Sequence, residues 1–254
     1  MGRLNLKRDS SGQVLIITCL MVAVLLLSTA IYVIETEKDV PIVGAADNEA
    51  FALYKQSVRS SLISALANVT NGGNASVLTA DLSELSSAII SHSYQAILQM
   101  DYSPLNSAPY QNGLWISWGA DGKAISSAYV SFVFNSSGFS TVSTMQYAVN
   151  VTSQAFLSGN YTQLSGNQTQ VNLTVNVFNE GNPALAQNFG FYIEDVTGWV
   201  KVDSPTITDF GDGAYAVSFI TPVNQTGNPL PVSMFCQDLR GITLGANVTC
   251  NAVG

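Results

Sequence analysis

Hydrophobic positions along this chain follow three spacings in succession. From Val14 to Ile34 they form a run of 21 residues without a formal charge. At 1.5 Å per residue that run makes about 31 Å of helix, the thickness of a hydrocarbon core, and it predicts a transmembrane helix over 14–34. Next comes a helical period. Phe51, Tyr54, Val58, Leu62 and Leu66 predict an amphipathic helix over 47–68. Leu78, Leu82, Leu85, Ile89, Ala96 and Met100 predict a second over 79–100, with Asp81 and Glu84 as a capping-box-like start. The turn formers between Asn68 and Ser76 join the two as an antiparallel helical hairpin.

From about residue 110 the period changes to two. Asn112-Gly113 and Asp121-Gly122 are hairpin turns flanking Leu114–Trp118, and strands are expected at Ala128–Phe134 and Ser143–Val151. In the last 90 residues Val171, Leu173, Val175 and Val177 alternate with Asn172, Thr174 and Asn176, so one face is dry and the other wet. Further strands are expected at 188–194, 198–203, 206–210, 214–221, 231–237 and 242–249. Seven short strands with turns between them predict an immunoglobulin-like β-sandwich. The expected class is therefore α+β: a basic head over 1–13, the transmembrane helix 14–34, a helical hairpin plus β-meander over 35–157, and the sandwich over 158–254.

Charge orients this layout. Arg3, Lys7 and Arg8 precede the apolar run, which places the N-terminus in the cytoplasm and the rest outside, as a single-pass membrane protein. Ser28-Thr29-Ala30 offers a weak cut site inside the run, so a removed signal peptide is the alternative to a retained anchor. Of 17 acidic residues only Asp9 precedes Glu35, which leaves 16 beyond the run against six basic residues. Such a surface repels phosphate backbones and argues against nucleic acid as a partner.

Only 10% of residues are charged, so solubility rests on Ser, Thr and Asn. Nine N-x-[ST] sequons occur, at Asn68, Asn74, Asn135, Asn150, Asn160, Asn167, Asn172, Asn224 and Asn247. Twenty Asn and 47 Ser plus Thr predict about four by chance. All nine follow the apolar run, and seven use Thr. A glycosylated surface is the expectation; an Asn/Thr-rich β-protein making sequons by composition is the plainer alternative. Cys19 sits in the apolar run as a small hydrophobe, whereas Cys236 and Cys250 lie on two apparent neighbouring strands and are expected to form one disulfide.

Catalytic signatures are sparse. A lone histidine, His92, excludes a His-cluster metal site, and no G-x-S-x-G accompanies it. Asp209-Phe-Gly-Asp-Gly213 offers two carboxylates on a glycine turn, but it lacks the ligands of a calcium loop and reads more simply as a hairpin turn. Glu194, Asp195 and Asp203 read as solvated strand-end charges rather than a glycosidase acid pair. Trp115, Trp118 and Trp199 could line a sugar- or peptide-binding face; the first two, three apart on one strand, point to opposite faces, with one expected in the core. No cofactor, metal or enzymatic activity is expected.

Lys7-Arg8, Gly12 and Gln13-Val14-Leu15-Ile16-Ile17 resemble the class III leader of archaeal type IV pilin-like proteins. The resemblance implies cleavage between Gly12 and Gln13 and an apolar helix that packs against copies of itself. Val175–Pro183 resembles a strand-turn signature of the adhesion-type sandwich modules of prokaryotic surface proteins. The preferred functional expectation is a membrane-anchored, extracellular, glycosylated structural or interaction protein of the cell envelope. Its expected partners are the lipid membrane, copies of itself or other envelope proteins. The pilin-like filament subunit is the alternative.

Overall fold

The computed structural model describes residues 43–91, 97–119, 121–137, 142–166, 168–195, 198–222 and 229–253. Residues Tyr54–Gly254 form one compact unit. Helix α1 spans Val43–Thr70, and α2 spans Val77–Ser91. In α1 the residues Val58, Leu62, Ala65 and Leu66 fall on one stripe and are fully buried. The helix stops at Asn71-Gly72, where Gly72 takes a positive φ and Asn71 N–H still donates to the Ala67 carbonyl at 3.1 Å. Asn74 then turns the chain: its side-chain oxygen accepts the Ser76 N–H at 2.9 Å, and Ser76 accepts the first helical bond of α2 from Ala80.

The second helix is shorter than its apolar stripe predicts. It ends by Ser91, and Ile97–Pro104 is a strand, β1. Leu98 and Met100 are buried while Gln99 and Asp101 are exposed, a period of two that the helical match at Ala96 and Met100 concealed. His92 and Ala96 lie outside the described residues.

Eleven further strands follow: β2 (Leu114–Trp118), β3 (Lys123–Ser137), β4 (Val142–Gln163), β5 (Thr169–Asn179), β6 (Asn182–Pro183), β7 (Ala186–Asp195), β8 (Gly198–Lys201), β9 (Thr206–Asp209), β10 (Ala214–Thr221), β11 (Leu230–Asp238) and β12 (Thr243–Ala252). The ladder runs β8-β7-β11-β12-β4-β5-β10-β9, with β3 also on β4, β1 and β2 on β3, and β6 on β5. Strand β4 is the spine. It pairs along its first part with β3 and along its last part with β5, and it runs across the 157/158 junction where the two expected modules would meet.

Two layers enclose the main core. Leu157, Tyr161, Val171, Val175 and Val217 from β4, β5 and β10 pack against Phe191, Val232, Met234, Leu244 and Ala246 from β7, β11 and β12. Tyr215 ties the layers together, its hydroxyl accepting the Ala186 N–H at 2.7 Å. The two layers join where β12 pairs in parallel with β4 over only two residues, Asn251 with Asn160 and Ala252 with Tyr161. The turn between β2 and β3 is wedged in beside that join. Gly122 donates to the Asn247 carbonyl at 2.8 Å and accepts from Leu157 N–H at 2.7 Å. Its φ of 77° suits glycine, and a Cβ there would run into the Leu157 carbonyl oxygen.

The first part of the β3–β4 ribbon is covered by helix instead. Tyr54 of α1 stacks on Phe134 at 5.6 Å, Phe134 stacks on Tyr147 at 5.8 Å, and Ser86 of α2 donates to the Met100 carbonyl.

The expected α+β class with a transmembrane helix is thus corrected to a mostly β class in which two helices cover one stretch of a long ribbon. The run 14–34 and the Gly12–Gln13 junction lie outside the described residues. Among the described residues no helix is long and apolar enough to cross a membrane, so the single-pass membrane location built on that run is corrected as well.

Candidate functional site

Charge is scarce in this chain, and four charged side chains, Arg59, Glu180, Asp238 and Arg240, converge on one knot. The turn linking β11 to β12 carries Asp238 and Arg240. Asp238 is completely buried, and its four acceptor positions are filled. Oδ1 accepts the N–H groups of Arg240 and Ile242, both at 2.9 Å; Oδ2 accepts the Ser153 hydroxyl and Arg240 Nε, both at 2.8 Å. The Arg240 guanidinium continues to Glu180 Oε1 at 2.8 Å, Ser153 Oγ at 2.8 Å and the Thr152 carbonyl at 3.3 Å. Arg59 of α1 closes on the other oxygen of Glu180 at 3.0 Å.

Helix α1, the turn after β5 and the C-terminal hairpin therefore meet on one set of ion pairs, to which the spine strand adds hydrogen bonds through Ser153 and Thr152. Asn71 reinforces it by donating to the Gly241 carbonyl and accepting from Gln237 and Thr243. Burial pushes the Glu180 carboxyl up, but the hydrogen bonds from Arg240 and Thr152 N–H and the charges of Arg240 and Arg59 outweigh it and hold it below the usual range. Every polar group here is engaged internally, which suits a structural lock. Sequence reasoning passed over these residues; the available signal was an Asp-Leu-Arg-Gly turn in a chain with few charges.

The expected disulfide is corrected. Cys236 and Cys250 are on adjacent strands, as read, but both are free and buried. Cys236 is in register with Leu244, and Cys250 lies six residues further along β12 beside Leu230. That offset is about 20 Å, far beyond what one bridge spans. Burial pushes the Cys236 thiol up to about 12, with Asp238 adding to the effect, and the Cys250 thiol up to about 11.

Seven of the nine sequon asparagines are described, and none is buried. Asn68 and Asn74 lie exposed at the end of α1 and in the turn that follows. Asn135, Asn150, Asn160, Asn172 and Asn247 sit on β3, β4, β5 and β12, each on the face opposite the buried row of its strand. Asn167 and Asn224 lie outside the described residues. Asn160 and Asn172 are directly opposite each other. They stand in an open groove of about 540 Å³ lined also by Ser158, Thr174, Thr206 and Ser218.

A second, apolar trough of about 320 Å³ lies on the outer face of β8, β7, β11 and β12. It is lined by Trp199, Tyr192, Phe235, Ser233 and Asn247. Phe235 has a glycine opposite it on both sides, Gly190 on β7 and Gly245 on β12. Its ring lies over Gly245, where a Cβ would come within 2.8 Å of Phe235 and 3.2 Å of Trp118. Trp118 and Tyr192 meet Phe235 edge to face at 5.9 and 6.1 Å. Trp199 is 46% exposed at the rim.

The remaining candidates are dispersed. Trp115 and Trp118 do face opposite ways, but neither is fully buried; Trp115 packs on Tyr110. Asp209 and Asp212 each accept a backbone N–H two residues on, from Gly211 and Ala214, and so build the turn into β10. Glu194 and Asp195 are consecutive on β7 and alternate faces, and Asp203 lies beyond β8 in the open. Among the described residues no group of three or more His, Cys, Asp or Glu could hold a metal ion. Compared with known proteins, the chain matches no family model and no curated sequence.

Proposed function

We propose that this chain is a glycosylated structural or interaction protein of the cell envelope, acting through its sheet faces rather than through chemistry. The observation that carries the reading is the placement of the sequons. Nine occur where composition predicts about four, and none of the seven described asparagines is buried. Five strand positions taken without regard to face would all point outward about once in 32. Because side chains alternate, the hydroxyl residue two places on shares the wet face with its asparagine, so a glycan at each site leaves the core untouched. The strongest polar cluster supports the same reading, since the Asp238–Arg240–Glu180 knot spends its hydrogen bonds on holding elements together.

Glycopeptide mass spectrometry of the protein from its native host tests this. Glycans on several of the nine asparagines are expected, and nine unmodified asparagines refute the proposal.

A further inference from the structure

We infer that the aromatic trough on the outer face of β7, β8, β11 and β12 is the seat of the N-glycan carried by Asn247 of the same chain. The inference rests on the glycosylation proposed above and assigns one sugar chain a place. Asn247 lines the trough itself, directly opposite Ser233, which is in turn opposite Tyr192. Its sequon partner Thr249 is exposed on the same face of β12. The β2–β3 turn holds both backbone groups of Asn247, its N–H donating to the Gly119 carbonyl at 3.1 Å and its carbonyl accepting from Gly122 N–H at 2.8 Å. The side chain therefore leaves the sheet from a defined point.

Phe235 is the diagonal cross-strand neighbour, about 7–8 Å away between backbones, a span that one pyranose ring bridges. Beyond it Tyr192 and Trp199 continue the wall toward the rim. A pyranose presents axial C–H bonds on one face and hydroxyls around its edge. The first suits the π-faces of Phe235 and Trp199, and the second suits the Ser233 hydroxyl at the floor. Gly245 lets the Phe235 ring lie over β12, and Gly190, opposite Phe235 on β7, leaves the space on its other side open. Tethering also removes the need for high intrinsic affinity, because a short link gives an effective concentration in the millimolar range.

The test uses full-length glycoprotein from the native host. Glycopeptide analysis reads occupancy at Asn247, and melting midpoints are compared for the wild type, N247Q, W199A and N247Q/W199A. Trp199 stands at the rim, so W199A leaves the core intact. A seated glycan makes N247Q melt about 2–4 °C lower than the wild type, with the shift abolished in the W199A background. An equal shift in both backgrounds overturns the seat. Glycans at other sequons with Asn247 bare overturn this inference and leave the proposed function standing, whereas nine bare sequons remove both. Quenching of tryptophan fluorescence by free host glycan added to the wild-type glycoprotein would show an open trough for an outside ligand, and would also overturn it.

Discussion

Replacing Asp238 with alanine should be the most damaging single change of a polar residue in this protein. The substitution deletes one carboxylate and strands four donors: the Arg240 and Ile242 N–H groups, the Ser153 hydroxyl and Arg240 Nε. Asp238 is fully buried, and the Arg240 side chain is 17% exposed, so water replaces little of what is lost. Removing one partner of a buried, hydrogen-bonded pair costs about 3–5 kcal/mol, chiefly through the charge left behind. In a unit of this size each kcal/mol moves the melting midpoint by about 2–4 °C, so a fall of about 6–20 °C is expected. Chemical denaturation followed by circular dichroism measures the cost directly. D238A/R240A should recover part of it, because the guanidinium that has lost its buried carboxylate partner and is left with Glu180 is then gone. A loss below about 1 kcal/mol for D238A, or a double variant no better than the single one, would refute the claim that this knot is a desolvated lock.

Four further outcomes are expected. Glu180 has its carboxyl held low in the fold, so its contribution is complete above the ordinary value of 4.5 and is lost as pH falls through the folded value; E180Q should flatten the acid limb of a stability–pH profile, and an unchanged limb would count against the ion-pair assignment. Cys236 and Cys250 should resist thiol reagents in the folded protein and react after unfolding, with reducing agent leaving the melting midpoint unchanged; a Cys236–Cys250 cross-linked peptide would contradict the register. G122A should cost about 2–6 kcal/mol in chemical denaturation, from its positive φ and the collision with the Leu157 carbonyl, and a near-neutral result would displace the β2–β3 turn from its wedge. Asn160 and Asn172 face each other about 5 Å apart, so intact-mass analysis should find molecules glycosylated at both less often than independent occupancy predicts.

What could be read from the sequence was whatever depends on neighbours a few residues apart. Alternation of Val171, Leu173, Val175 and Val177 with Asn172, Thr174 and Asn176 located β5, because a half-buried strand needs a period of two, and the strands expected at 188–194, 214–221, 231–237 and 242–249 fall within a few residues of β7, β10, β11 and β12. Glycine-containing turns marked Asn112-Gly113 and Asp121-Gly122, and the outward placement of the sequons follows from the same alternation. The strand at Ile97–Pro104 was hidden because Met100 satisfies a helical and a strand spacing equally well, and only pairing with β3 separates the two.

Pairing was decided by tertiary structure throughout. Adjacent strands do not reveal their register, and a six-residue offset is the difference between a disulfide and two free thiols at Cys236 and Cys250. The meeting of Arg59, Ser153, Glu180, Asp238 and Arg240 spans 181 positions of sequence, and no local pattern encodes it. The aromatic trough is of the same kind. Tyr192, Trp199, Phe235 and Asn247 share a face only because β8, β7, β11 and β12 lie side by side, a matter of backbone hydrogen bonding between distant segments.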